Sequence, residues 1–199
     1  MVDALTLELL YDKLRERYTP YEQRVVGIMF ARYDLRNVQE IIDQNYLYWN
    51  LNSNKLFDIY WAGYGAYLSP CEENAYKKIL RYAGNDKNVY YDMNAFITIK
   101  KQFNDVFGVK YKDRIQLILV NYKNHKLRFN ESIKIDLEQN IDDNYATIRD
   151  IIEFVTDACR ATNDVKEIAK QMKLQKVHEW IQGITLSDVL NTAMTLVSI

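Results

Sequence analysis

"MFARYDLRN", residues 29–37, ends an apolar run and opens a polar turn, and a helical pattern follows at once. A buried strand that feeds a helix through a tight turn is where many α/β proteins keep their chemistry. This turn carries aspartate, arginine and asparagine, with no cysteine, no glycine pair and no serine elbow. Working outward, "RVVGIMFA" (24–31) is a short continuous apolar run of β-formers and reads as a buried central strand. Beyond the turn, Val38, Ile41, Ile42, Tyr46 and Trp49 share one helical stripe that "NLNSN" (50–54) breaks.

Further strands and helices extend the alternation. "KLFDIYWAGYG" (55–65) reads as a second strand ended by Gly63 and Gly65. In "YWAGYGAY" (60–67), Tyr60 and Tyr64 point one way and Trp61 the other, so one set is expected in the core. "SPCEENAYKKILRYAG" (69–84) predicts a helix capped by Ser69, started at Pro70 and stopped at Gly84. A polar loop over 85–92 then leads to Asn94 as the cap of a helix with Phe96, Ile99, Phe103, Val106 and Phe107 inward. "RIQLILVNY" (114–122) is again continuously apolar and therefore central. "KLRFNESIKIDL" (126–137) alternates at Ile133, Ile135 and Leu137, the mark of one wet face or an edge position, with room for a bend near Asn130 and Glu131. Asn144 caps a helix with the stripe Tyr145, Ile148, Ile152, Val155 and Cys159. Asn163 and Asp164 restart a helix to about Gln182, and Thr185 caps a last one to residue 199. At the other end, residues 3–18 form a helix with an unusually wide apolar face, ended by Thr19 and Pro20.

The totals limit the function classes. The chain has 199 residues, 48% hydrophobic and 27% charged, enough for a core, and its formal net charge of −1 recruits neither nucleic acid nor anionic lipid. Cys71 and Cys159 cannot form a disulfide framework, so a reducing cytoplasm is expected. His125 and His178 have no metal-ligand spacing with cysteine, and neither a metal nor a cofactor is expected. The N-terminal stretch has acidic residues inside its apolar run and no small-residue cleavage site, against a signal peptide, and no uncharged run is long enough for a membrane span. Sixteen tyrosines suit half-buried surfaces and interfaces. The hairpin tip "NYKNHKLR" collects Lys123, His125, Lys126 and Arg128, but a groove-sized basic face with interleaved aromatics is absent.

From residue 24 the order is strand, helix, strand, inserted helix, helix, strand, strand, helix. Without the insert this resembles the thioredoxin fold, over residues 24–157. "MFARYDLRNVQEIIDQNY" is similar to the segment in which a Phe-x-Ala-x-Trp strand end precedes the C-x-x-C motif. Tyr33 falls on the tryptophan position, and Asp34 and Asn37 fall on the two cysteines. "FGV" (107–109) resembles the stretch before the family's cis-proline loop, and "LILVNYKNHKLRF" resembles the closing hairpin. Asp113 and Arg114 stand where the cis-proline would be. With both motif cysteines absent, thiol–disulfide exchange at this turn has no thiolate to attack with. Asp34 and Asn37 serve equally well as helix caps.

The expected architecture is therefore α/β: an N-terminal helix (1–20), a thioredoxin-like domain with a small mixed sheet (21–160) and a C-terminal helical extension (161–199). Its expected function is a redox-inactive binding or assembly module that meets a protein partner or a second copy of itself. Its contacts would come from Leu5, Leu9 and Leu14 of the first helix and Val189, Met194 and Val197 of the last. Two alternatives stay open. Cys71, in the first turn of a capped helix, has the setting that lowers a thiol pKa, opposed by Glu72 and Glu73, and would serve a peroxidase-like or transferase-like enzyme. Tyr33, Asp34, Arg36, Asn37, Asp113 and Arg114 would converge at one sheet end and bind a small ligand there.

Overall fold

A computed structural model describes residues 2–53, 57–67, 76–81, 88–137, 144–174 and 184–186. The chain runs β1 (Val2–Ala4), α1 (Leu7–Arg17), β2 (Arg24–Phe30), α2 (Arg36–Ser53), β3 (Ile59–Ala62) and β4 (Tyr64–Tyr67). It continues through β5 (Tyr76–Arg81), β6 (Asn88–Asp92), α3 (Met93–Phe107), β7 (Gln116–Lys123) and β8 (Lys126–Asp136). The helices α4 (Asn144–Ala161) and α5 (Val165–Leu174) and the strand β9 (Ile184–Leu186) complete the described elements.

The two continuously apolar runs lie side by side: β2 and β7 pair antiparallel, from Arg24 opposite Tyr122 to Phe30 opposite Gln116. They sit in the middle of a six-stranded sheet ordered β1-β3-β2-β7-β8-β9. β3 runs parallel to β2, and β8 antiparallel to β7. The four central strands, with α2, α3 and α4 between and after them, are a mixed sheet compatible with a thioredoxin-like topology.

Burial explains the apolar runs. Neighbours along a strand face opposite sides. Phe30 packs its ring on Phe96 and Phe103 of α3, at 6.4 and 5.2 Å between centroids. Met29, one residue earlier, lies opposite Trp61, whose ring meets Trp49 of α2 at 5.5 Å. Helices thus cover both faces, so neither face of β2 can be polar. α1 shares the α3 side, where the Leu7 N–H donates to Gln102 Oε1 at 3.0 Å. α2 and α4 meet on the other side, with the Tyr48 hydroxyl on Glu153 and the Arg149 guanidinium 5.2 Å from the Tyr48 ring centre.

Several expectations are corrected. The first helix does not begin at residue 3: Val2–Ala4 pair with β3 as β1, and α1 starts at Leu7 behind its cap Thr6, so Leu5 precedes the helix. β8 does not take the edge position, because the three-residue strand β9 lies outside it, as β1 lies outside β3. The apolar run 55–65 is split: Gly63, at φ +78°, ends β3, and β4 leaves for a second, three-stranded sheet ordered β4-β6-β5. The helix expected over 69–84 meets a strand instead, since residues 76–81 form β5 and pair antiparallel with β6. The loop expected over 85–92 contains β6, and the cap of α3 is Asp92, not Asn94: its carboxylate accepts the Ala95 N–H at 3.0 Å. Thr185 is no helix cap but a β9 residue opposite Lys134. The rest of the 69–84 and 185–199 predictions, and residues 175–182 of the extension, lie outside the described residues. The expected bend in β8 is present: Val120 pairs with Ser132 and Asn121 with Arg128, leaving Phe129, Asn130 and Glu131 bulged out.

Candidate functional site

The turn after β2 is organised by Arg32. Its guanidinium grips Asp34 through two nitrogens, Nη2 to Oδ2 at 2.6 Å and Nε to Oδ1 at 3.3 Å, the forked geometry that suits a carboxylate. Nη1 reaches Asp113 Oδ1 at 3.3 Å, so the 29–37 and 109–115 segments meet at this side chain. Asp113 sits there in the left-handed region, φ 51°, which aspartate tolerates better than most residues. Burial by itself would raise the Asp34 carboxyl, but the Arg32 hydrogen bonds and charge outweigh it and hold the group below its usual range. Tyr91 of β6 completes the cluster: burial first, then the Asp34 charge and hydrogen bond, push its phenol well up. The buried Tyr64 hydroxyl donates to the Ala31 carbonyl at 2.8 Å and locks the turn from the side of the second sheet.

The six residues expected to converge do so only in part. Asp34 and Asp113 meet, through an arginine that sequence reasoning did not single out; the available signal was a cation placed directly after an apolar strand. Tyr33 turns inward, buried, and its hydroxyl donates to Asp43 of α2 at 2.6 Å. Arg36 projects into solvent and pairs with Glu40 one turn on, at 3.1 Å. Arg114 goes to Asp136 at the end of β8, at 3.5 Å. Asn37 is half-buried in the first turn of α2.

This arrangement has limited chemistry. General acid–base catalysis needs a group titrating near the working pH. Here the carboxyl moves down and the phenols of Tyr33, Tyr64 and Tyr91 move up, each away from neutrality. Cys159 is buried on α4, and burial pushes its thiol up to about 12. Cys71 and His178 lie outside the described residues. His125 shares a 3.1 Å hydrogen bond with the Tyr122 hydroxyl. Among the described residues, no three His, Cys, Asp or Glu side chains are grouped to hold a metal ion.

Other singled-out residues are structural. In "YWAGYGAY", Tyr60, Trp61 and Tyr64 are all buried, and the rings Trp49, Trp61, Tyr64, Tyr91 and Phe96 form a chain with centroid spacings of 5.2 to 5.8 Å. A second polar knot, unread in the sequence, holds the end of α1: Arg17 and the Tyr18 hydroxyl both engage Asp58, just before β3. Leu10 and Leu14 of α1 are fully buried in the chain's own core, Leu5 is half-buried, and Leu9 is 43% exposed. Val189, Met194 and Val197 lie outside the described residues. No helix among the described residues is long and apolar enough to cross a membrane. The class defined so far is an α/β protein with a mixed sheet and a thiol-free, ion-paired junction after its central strand. No protein-family model, curated protein or solved structure matches the chain.

Proposed function

We propose that the protein is a redox-inactive thioredoxin-like module that works by binding other proteins. The observation that carries this reading is the junction itself. Where the thioredoxin pattern places a reactive thiol at the start of a helix, this chain has Asp34, clamped by Arg32, which also reaches Asp113. A clamped ion pair supplies neither a nucleophile nor a proton carrier near neutral pH, while the strand order around it supports retention of the scaffold. A fold kept without its chemistry leaves its surface as the working part.

The test is reduction of insulin disulfides by dithiothreitol with the protein at substrate-level concentration. The expected rate equals the background without protein. A rate above background that disappears in C71S would overturn the reading in favour of a thiol enzyme. The apolar C-terminal segment is tested separately, by the solution mass and thermal midpoint of a chain ended at Leu186. If both match the full chain, that segment has no part in assembly.

A further inference from the structure

We infer that the end of the sheet opposite the Arg32 junction docks an acidic segment of a partner protein, an assignment that rests on the binding-module reading above. Three connections converge there. The loop entering β2 is tied to the β7–β8 hairpin by the Asn124 N–H on the Pro20 carbonyl at 3.0 Å. It is tied to the α4–α5 turn by Gln23 Nε2 on the Asn163 carbonyl at 3.1 Å. The hairpin turns through Asn124 and His125, both in the left-handed region at φ 52° and 58°. A surface tied at these two points loses little freedom when a partner binds.

Tyr21 stands on this loop at 90% exposure, the most exposed of the large apolar side chains among the described residues. The chain keeps this ring in water while burying most of its other described tyrosines, and tyrosine is a favoured anchor of protein interfaces. On the hairpin whose turn bonds the adjoining Pro20 carbonyl, Lys126 and Arg128 are exposed and Lys123 is half-buried. None of the three has an ion-pair partner among the described residues. The neighbouring carboxylates are already engaged: Glu22 by Arg24, Glu131 by Lys166 and Asp58 by Arg17, while Asp164 accepts the Lys166 N–H. The cations are therefore in local excess on a chain whose net charge is −1. One exposed ring and, on the hairpin bonded to its loop, three cations with no ion-pair partner among the described residues fit a short carboxylate-rich peptide. A membrane surface or a nucleic-acid backbone draws on longer runs of cations than this.

The probe is a fluorescein-labelled decaglutamate peptide, measured by anisotropy at low and moderate salt, with decalysine, phosphatidylserine vesicles and a single-stranded oligothymidine in parallel. The triple variant K123E/K126E/R128E is expected to weaken decaglutamate binding at least about tenfold, and Tyr21→Ala at least about threefold. The distal exposed pair, K110E/K112E, is expected to leave it unchanged. Circular dichroism and thermal midpoints check that each variant is folded. The inference is overturned if decaglutamate does not bind, or if K110E/K112E weakens binding as much as the triple variant. It is also overturned if Tyr21→Ala has no effect, or if vesicles or oligothymidine bind more tightly. Any of these results with insulin reduction still at background removes the docking surface and leaves the redox-inactive reading standing.

Discussion

A methyl group at residue 63 would lie 2.5 Å from the Phe96 Cβ and 2.7 Å from its Cα, which is backbone and cannot swing aside. Gly63 also holds φ +78°, donates its N–H to Ala4 and accepts the Asp92 N–H, so the crossing of β1, β3 and α3 passes through it. Gly63→Ala combines steric overlap with a conformation that L residues avoid, and should lose at least about 3 kcal/mol in urea unfolding. Gly108, at φ +66°, has nothing within 4 Å of an added Cβ. Gly108→Ala should therefore cost only about 1 kcal/mol, the conformational part alone. Equal costs would show that the approach of Phe96 to residue 63 is not as close as described. The Arg32 junction makes a pH-dependent counterpart. Asp34 has a folded pKa below its unfolded value of about 3.9, so between the two the unfolded chain binds more protons. Its stabilisation is complete above the unfolded value and disappears as pH falls through the folded one. Asp34→Asn should lower stability at about pH 6 and narrow the loss between about pH 6 and pH 3. An unchanged acid slope would mean that the Arg32 contact does not hold the carboxylate. The sequence made Asp34 readable as a turn residue and helix cap. Its partner was not readable, because the choice between capping a helix and pairing with Arg32 depends on Asp113, brought in from a distant loop.

At the scale of elements, legibility followed the reach of the interactions. α3 was readable because Phe96, Ile99 and Phe103 recur at helical spacing and all face one sheet. β2 and β7 were readable because helices cover both faces and make both runs almost wholly apolar, the buried Asn121 of β7 aside. β5 was not. "AYKKILRYAG" has helical spacing, and its strand state depends on pairing with β6, which no local pattern encodes. The start of α5 joins the two cases. Asn163 and Asp164 announced a restart, and Asp164 does cap the helix by accepting the Lys166 N–H at 2.9 Å. The second cap is remote: buried Asn121 of β7 accepts the Val165 N–H at 2.9 Å and donates to Asp164 Oδ1 at 3.1 Å. Asn121→Leu fills the space but leaves the Val165 N–H unmatched, and should cost about 1–3 kcal/mol. Hydrogen exchange should quicken in α5 before it does in α4. Loss spread evenly over both helices would show that the α5 cap is not a local device.

For the whole molecule, the central four strands were legible as an order because their hydrophobic runs differ in kind. Three-residue rim strands such as β1 and β9 are too short to show any period, and the second sheet is recognisable only by its pairing. What the six-stranded sheet and its two helical layers enclose can be probed through Cys159. The thiol is 5% exposed, and burial pushes it up to about 12, which keeps it in the unreactive thiol form at about pH 8. Alkylation of the native thiol therefore depends on opening the α4 layer. Iodoacetamide labelling of Cys159, followed by peptide mapping to separate it from Cys71, should be at least about a hundredfold slower in the native chain than in urea. The native rate should rise in Gly63→Ala if a distortion on the α3 side of the sheet reaches α4 through global unfolding. If Gly63→Ala loses stability while Cys159 stays equally protected, the two helical layers open separately. The sheet between them would then be a boundary between cooperative units and not the core of a single one.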